Sequence, residues 1–160
     1  MKLLLKNLLF TVIVPGSVGV YIPILLGRGI PAKAGAIPVV SWLLFATAAA
    51  IYGWSVWQFA AHGRGTPFPM DAPKRLVARG PYQYTRNPMY LALFAALLGW
   101  TLLYQTVSLV LYSLAVAAVV NLFVLGYEEP HLGRQFGPEY DEYKAKVPRW
   151  VPCLPRQPDA

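Results

Sequence analysis

No Asp, Glu, Lys or Arg interrupts Asn7 to Gly27, Ala34 to Ala61 or Asn87 to Tyr127, and that feature constrains the fold more than any other. The hydrocarbon layer of a bilayer is about 30 Å thick, and roughly 20 apolar residues of helix cross it. Backbone N–H and C=O groups inside that layer must be satisfied within the chain, which favours helices. The first two runs each predict one span. The third is too long for a single crossing and must turn back at its most polar point, Gln105-Thr106. The expectation is an all-α polytopic membrane protein forming a single membrane domain. Its spans are at about 3–26, 36–61, 88–104 and 107–127, with a cytoplasmic loop at 62–87 and a cytoplasmic tail at 128–160. The last two spans form a helical hairpin. With 56% hydrophobic and 13% charged residues, the chain has too few polar side chains to cover a soluble globule of its size.

Basic residues are retained on the cytoplasmic side of membrane proteins. With the N-terminus inside, Lys2, Lys6, Arg64, Lys74, Arg75, Arg79, Arg86, Arg134, Lys144, Lys146, Arg149 and Arg156 are all cytoplasmic, and only Arg28 and Lys33 lie outside. The net charge of +7 is therefore a topology signal first and an attraction to anionic membrane lipids second. No nucleic-acid signature is present. Lys2 and the small-x-small step Ala32-Lys33-Ala34 resemble parts of a signal peptide, but the run between them is span-length, so it reads as the first helix. Cys153 stands alone, which excludes an intramolecular disulfide, and His62, His131 and one Cys are too few ligands for a dedicated zinc site.

Pro15, Gly16, Gly19 and Pro23 predict a kinked first span. In the second, Ala46, Ala48, Ala49, Ala50 and Gly53 offer a close-approach surface, with Trp54 and Trp57 as interfacial anchors. Pro67, Pro69 and Pro73 predict a stiff, extended loop. Pro130 is expected to stop the fourth helix, with a short helix following to Phe136. Gly137-Pro138-Glu139 then opens a tail helix that closes on Lys144 and Lys146, its Tyr140, Tyr143 and Val147 sharing one face and suiting a lid.

Two polar clusters are expected to meet at the cytoplasmic surface, since an antiparallel hairpin sets the start of the third span beside the end of the fourth. One runs from Gly80-Pro81-Tyr82 to Arg86-Asn87-Pro88-Met89-Tyr90, and the other is Glu128-Glu129. Asn87-Pro88 alone is what an ordinary helix start looks like, with Asn as N-cap and Pro in the first turn. Glutamates at a helix C-terminus oppose the macrodipole by about 0.3–1 kcal/mol when exposed, so the acidic pair needs partners. A salt bridge to Arg86 or Arg134 would meet that need as well as a ligand would, and the tyrosines can equally be interfacial anchors.

Taken in order, Gly65-Thr66-Pro67, Leu76-Val77, Gly80-Pro81-Tyr82, Arg86-Asn87-Pro88-Met89-Tyr90, Glu128-Glu129, Leu132, Phe136-Gly137, Tyr140, Tyr143 and Val147-Pro148 resemble the isoprenylcysteine carboxyl methyltransferase and phospholipid methyltransferase superfamily. The resemblance implies S-adenosylmethionine as methyl donor at the cytoplasmic surface and a bilayer-side opening for a lipophilic substrate. Where carboxyl methyltransferases read Arg-His-Pro-x-Tyr-x-Gly, this chain has Asn87 in place of His and Ala92 in place of Gly. Asn87 carries no titratable proton. The implied roles are catalytic for Arg86 and Glu129, and cofactor-binding for Gly80, Pro81, Tyr82, Asn87, Pro88, Tyr90, Glu128, Glu129, Leu132, Tyr140 and Tyr143. The alternatives are an NADPH-dependent reductase, since some sterol reductases resemble this C-terminal architecture, and a non-enzymatic lipid-binding protein.

Overall fold

A computed structural model of the chain describes residues 11–59, 61 and 75–154. Expectations that fall on residues 1–10, 60, 62–74 and 155–160, among them the proline-rich part of the loop, His62 and Gly65-Thr66-Pro67, lie outside the described residues.

The described residues form helices and contain no strand. Helix α1 spans Thr11–Gly27. It is followed by α2 (Ile37–Gln58), a 3-10 turn (Gly80–Gln83), α3 (Pro88–Tyr104), α4 (Val107–Phe123), α5 (Glu129–Phe136) and α6 (Pro138–Lys146). Helix α2 and the continuous helix Val107–Phe136 are long and apolar enough to cross a bilayer, and α1 and α3 are shorter apolar helices. Leu111, Leu114, Val119 and Leu122 of α4 are exposed, as suits side chains solvated by lipid rather than water. The protein is an integral membrane protein.

Helix α3 is central, lying along α2 and flanked by α1 and α4. Its Ala92, Leu97, Gly99 and Leu103 are buried. A Cβ at Gly99 would stand 2.7 Å from the Phe45 ring, so glycine there admits that ring of α2. The buried face of α2 is Ser41, Ala48 and Ser55 rather than the whole small-residue stretch. Gly53 has nothing within 4 Å of a built Cβ, so it is not at the contact.

Where the sequence predicts a kink, α1 carries a π-helical turn at Ser17–Tyr21. Such a turn interrupts the regular ladder and frees carbonyls for other donors. The Tyr112 hydroxyl of α4 donates to the Val18 carbonyl (2.8 Å) and Trp100 Nε1 of α3 donates to the Gly19 carbonyl (2.9 Å), pinning α1 from two sides.

The hairpin turns at Gln105, which takes a left-handed φ of 50°, and at Thr106, whose hydroxyl caps α4 by accepting from the Leu109 N–H. Pro130, expected to end the fourth helix, does not. Helix α4 passes through a π-helical turn at Val124–Glu128 and continues as α5, with Pro130 in its first turn. The wider turn accommodates a ring that would collide with the carbonyl four residues earlier in a regular α-helix.

Candidate functional site

The polar side chains gather where α3 begins and α4 ends, and a non-helical strap, residues 147–153, ties the two together. The Arg86 N–H donates to the Pro148 carbonyl, and the Cys153 N–H to the Tyr84 carbonyl, both at 2.9 Å. The Thr85 hydroxyl and the Asn87 side-chain amide donate to the Arg149 carbonyl at 2.9 and 3.2 Å. Asn87 stands at the N-cap of α3, yet its side chain makes no capping bond. Asn87 thus occupies the cap position while its amide serves the strap instead. Trp150 of the strap donates to Asn121 Oδ1 (3.1 Å) and lies against the Tyr90 and Phe94 rings.

The 3-10 turn begins at Gly80, whose φ of 59° and contact with Gln58 (2.7 Å to a built Cβ) leave no room for a side chain. The turn buries Tyr82 against the edge of Phe59, and the Tyr143 hydroxyl of α6 donates to the Tyr82 carbonyl at 2.8 Å. Helix α6 thus lies over the turn with Tyr140 buried, while Glu139, Asp141, Glu142, Lys144 and Lys146 face outward. Burial, and secondarily the charge of Glu128, pushes the Tyr82 hydroxyl well above the usual tyrosine range, and burial does the same for Tyr143. Both remain proton donors.

Glu129 binds two guanidiniums. Arg149 grips it as a fork, Nε to Oε1 at 2.7 Å and Nη2 to Oε2 at 2.8 Å, and Arg86 Nη1 stands 2.8 Å from Oε1. Donating to the Glu129 carboxylate raises the Arg149 pKa. The Arg86 contact is one of charge without hydrogen-bond alignment, so Arg86 Nε and Nη1 are buried with no hydrogen-bond partner among the described residues. The Arg86 side chain is only 10% exposed, and a buried cation with unused N–H groups is costly unless something accepts from them.

Arg86 is part of the wall of a cavity of about 470 Å³ between α1, α2, α3 and α4. Most of its wall is apolar, and its polar groups, Tyr82, Arg86, Asn87, Tyr90 and Glu128, collect toward the end formed by the start of α3 and the end of α4. Tyr90 donates to Glu128 Oε2 at 2.9 Å. Size, apolar walls and a few convergent polar groups are what small-molecule sites share.

The structure divides the residues singled out in the sequence. Tyr82, Arg86, Asn87, Pro88, Tyr90 and Glu128 border the cavity, whereas Gly80, Pro81, Glu129, Leu132, Tyr140 and Tyr143 do not. Glu129, Tyr140 and Tyr143 are held in the layer of contacts just behind it, and Leu132 is half-buried on α5. Arg149 and Thr85 were missed as parts of the site. Arg149 counts in the sequence only as one more cytoplasmic charge.

Comparison with known proteins gives this arrangement a family. The model of the phospholipid methyltransferase family matches residues 37–139, well over half of the chain. The chain belongs to that family. The family match runs from the start of α2 into α6 and includes the cavity's polar end. A protein-S-isoprenylcysteine O-methyltransferase of Schizosaccharomyces pombe is 36% identical over 81 residues, covering 50% of this chain and 34% of that protein. An uncharacterized protein of Haemophilus influenzae is 41% identical over 63 residues, covering 39% of this chain and 100% of its own length. A nickel-cobalt-cadmium resistance protein, NccN, of Alcaligenes xylosoxydans xylosoxydans is 30% identical over 79 residues, covering 49% of this chain and 37% of its own. The alignments thus span about a third of the two relatives with named activities. No solved structure matches the chain.

Proposed function

We propose that the chain transfers a methyl group from S-adenosylmethionine to a lipophilic acceptor that enters from the bilayer. The observation that carries this reading is the polar end of the apolar cavity, where Arg86, a buried cation whose Nε has no hydrogen-bond partner among the described residues, shares one site with Glu128. A cation and an anion so placed suit an amino-acid moiety, which bears one of each. Family membership supplies the reaction class.

Arg86 would hold the carboxylate of the cofactor, and Glu128, oriented by the Tyr90 hydroxyl, would accept from its amino group or ribose hydroxyls. S-adenosylmethionine bound there would supply a sulfonium methyl, the C–S electron pair staying with sulfur as the acceptor's lone pair forms the new bond. Asn87 has no proton to give, so this end of the site acts by alignment rather than by proton relay through that position. The apolar walls exclude water from the reacting atoms. An amine acceptor must first lose a proton, and Glu128 is the one carboxylate lining the cavity among the described residues.

Calorimetry on the purified protein in nanodiscs tests the reading. S-adenosylhomocysteine is expected to bind and NADPH not to bind. NADPH binding alone would replace the methyltransferase with a reductase, and binding of neither would favour a lipid-binding protein.

The same reading places the polar end in the cytoplasm. In a Cys153→Ser background, a cysteine at Ala78 should react with an impermeant thiol reagent from the cytoplasmic side and one at Ala32 from the opposite side. Both positions are exposed. The reverse pattern would turn the site outward and away from the cytoplasmic cofactor pool.

A further inference from the structure

One long wall of the cavity runs along α4 and the turn that follows, and Tyr112 is the lining residue farthest along it from Glu128. Along α4 and the turn that follows, the lining residues are Glu128, Val120, Val119, Val116, Ala115 and Tyr112, a helical face about 24 Å long at 1.5 Å per residue. Beyond Glu128 that face carries only alanine and valine until Tyr112. The facing wall is Val14, Pro15, Val18 and Ile22 of α1. The Tyr112 hydroxyl donates to the Val18 carbonyl, one of those released by the π-helical turn, so the ring is fastened as a bar between the two helices. Past this bar α4 packs against Ile22–Gly27 of α1. Before it, Ala115 and Val119 are exposed, which leaves the channel open sideways to lipid.

We infer that Tyr112 closes the deep end of the cavity and so sets the longest hydrocarbon chain the acceptor can carry. The inference rests on the reading that this cavity holds the methyl acceptor. The acceptor is a single apolar chain whose polar end lies beside the cofactor at the polar end of the cavity and whose tail is directed at Tyr112. The groove is too apolar for a charged tail.

The test uses intact protein in nanodiscs, photolabelled with a fatty alcohol that carries a diazirine at the chain end, with labelled residues read by peptide mass spectrometry. Decanol, tetradecanol, hexadecanol, octadecanol and eicosanol then compete at equal mole fraction in the bilayer. A chain that moves from lipid into the cavity exchanges one apolar medium for another, so competition should not vary with length until the chain meets Tyr112. Beyond that length, forcing extra methylenes against the Tyr112 ring should weaken competition about tenfold. The label should fall on Tyr112 or Ile22. Tyr112→Ala should restore competition by the longer alcohols, and Val116→Trp should move the break to shorter ones, so failure of one variant to fold leaves the other decisive. An absent break, or one that neither variant moves, overturns the inference. Retained S-adenosylhomocysteine binding without a break would remove Tyr112 as the limit and leave the methyltransferase. A break without S-adenosylhomocysteine binding would do the reverse.

Discussion

Glu129→Gln is expected to lower the stability of the folded protein by about 3 kcal/mol and to loosen the strap at residues 147–153. The carboxylate stands between Arg86 and Arg149, with side chains 10% and 30% exposed and its own only 13% exposed. Removing its charge leaves two guanidiniums facing each other with no anion between them. Breaking a buried ion pair from one side costs roughly 3–5 kcal/mol, and the partial exposure of Arg149 sets the lower end of that range. Thermal unfolding in detergent reads the loss. Amide exchange at Arg86 and Cys153, whose N–H groups bond across the strap, reads its local part. An unchanged midpoint together with unchanged exchange would show that Glu129 is not what holds the strap.

Glu128→Gln should act on binding instead. Glu128 touches the cavity and accepts from the Tyr90 hydroxyl, which an amide oxygen can still do. A lost charged hydrogen bond is worth about 1–3 kcal/mol, so S-adenosylhomocysteine should bind roughly 5- to 150-fold more weakly. Glu139→Gln, at an exposed position on α6, is the control. Equal affinities for wild type and Glu128→Gln would take this carboxylate out of the site.

The contrast between these neighbours shows where sequence reasoning reaches its limit. The spans are legible because absence of charge over a span-length run is a one-dimensional property. The hairpin turn is legible because Gln105-Thr106 is the polar break in such a run. The meeting of Arg86 with Glu128-Glu129 follows from the hairpin alone. Which glutamate faces the cavity does not, because adjacent residues on a helix differ by about 100° and the π-helical turn at Val124–Glu128 resets that angle. The partner of Glu129 is hidden for a different reason. Arg149 lies 20 residues on, beyond two helices and a reversal, and no periodicity connects them. Asn87 misleads because its pairing with Pro88 is a sufficient helix start by local rules, while the acceptor its amide uses is 62 residues away. Tyr112 looks like one more apolar residue of a span until the π-helical turn in α1 supplies the carbonyl that holds it.

The order of these segments along the chain has a consequence for biosynthesis. Tyr84 to Asn87 leave the ribosome before the hairpin, and Pro148 to Cys153 leave it after, yet each supplies the hydrogen-bond partners of the other. A nascent chain that has already inserted α1 to α4 therefore carries Arg86 with neither Glu129 fastened by Arg149 nor the backbone of residues 84–87 tied down. The polar end is completed by the last described stretch to emerge, so insertion into the membrane and completion of this polar cluster are separate events, and a chain halted after α5 would be embedded with residues 84–87 untied.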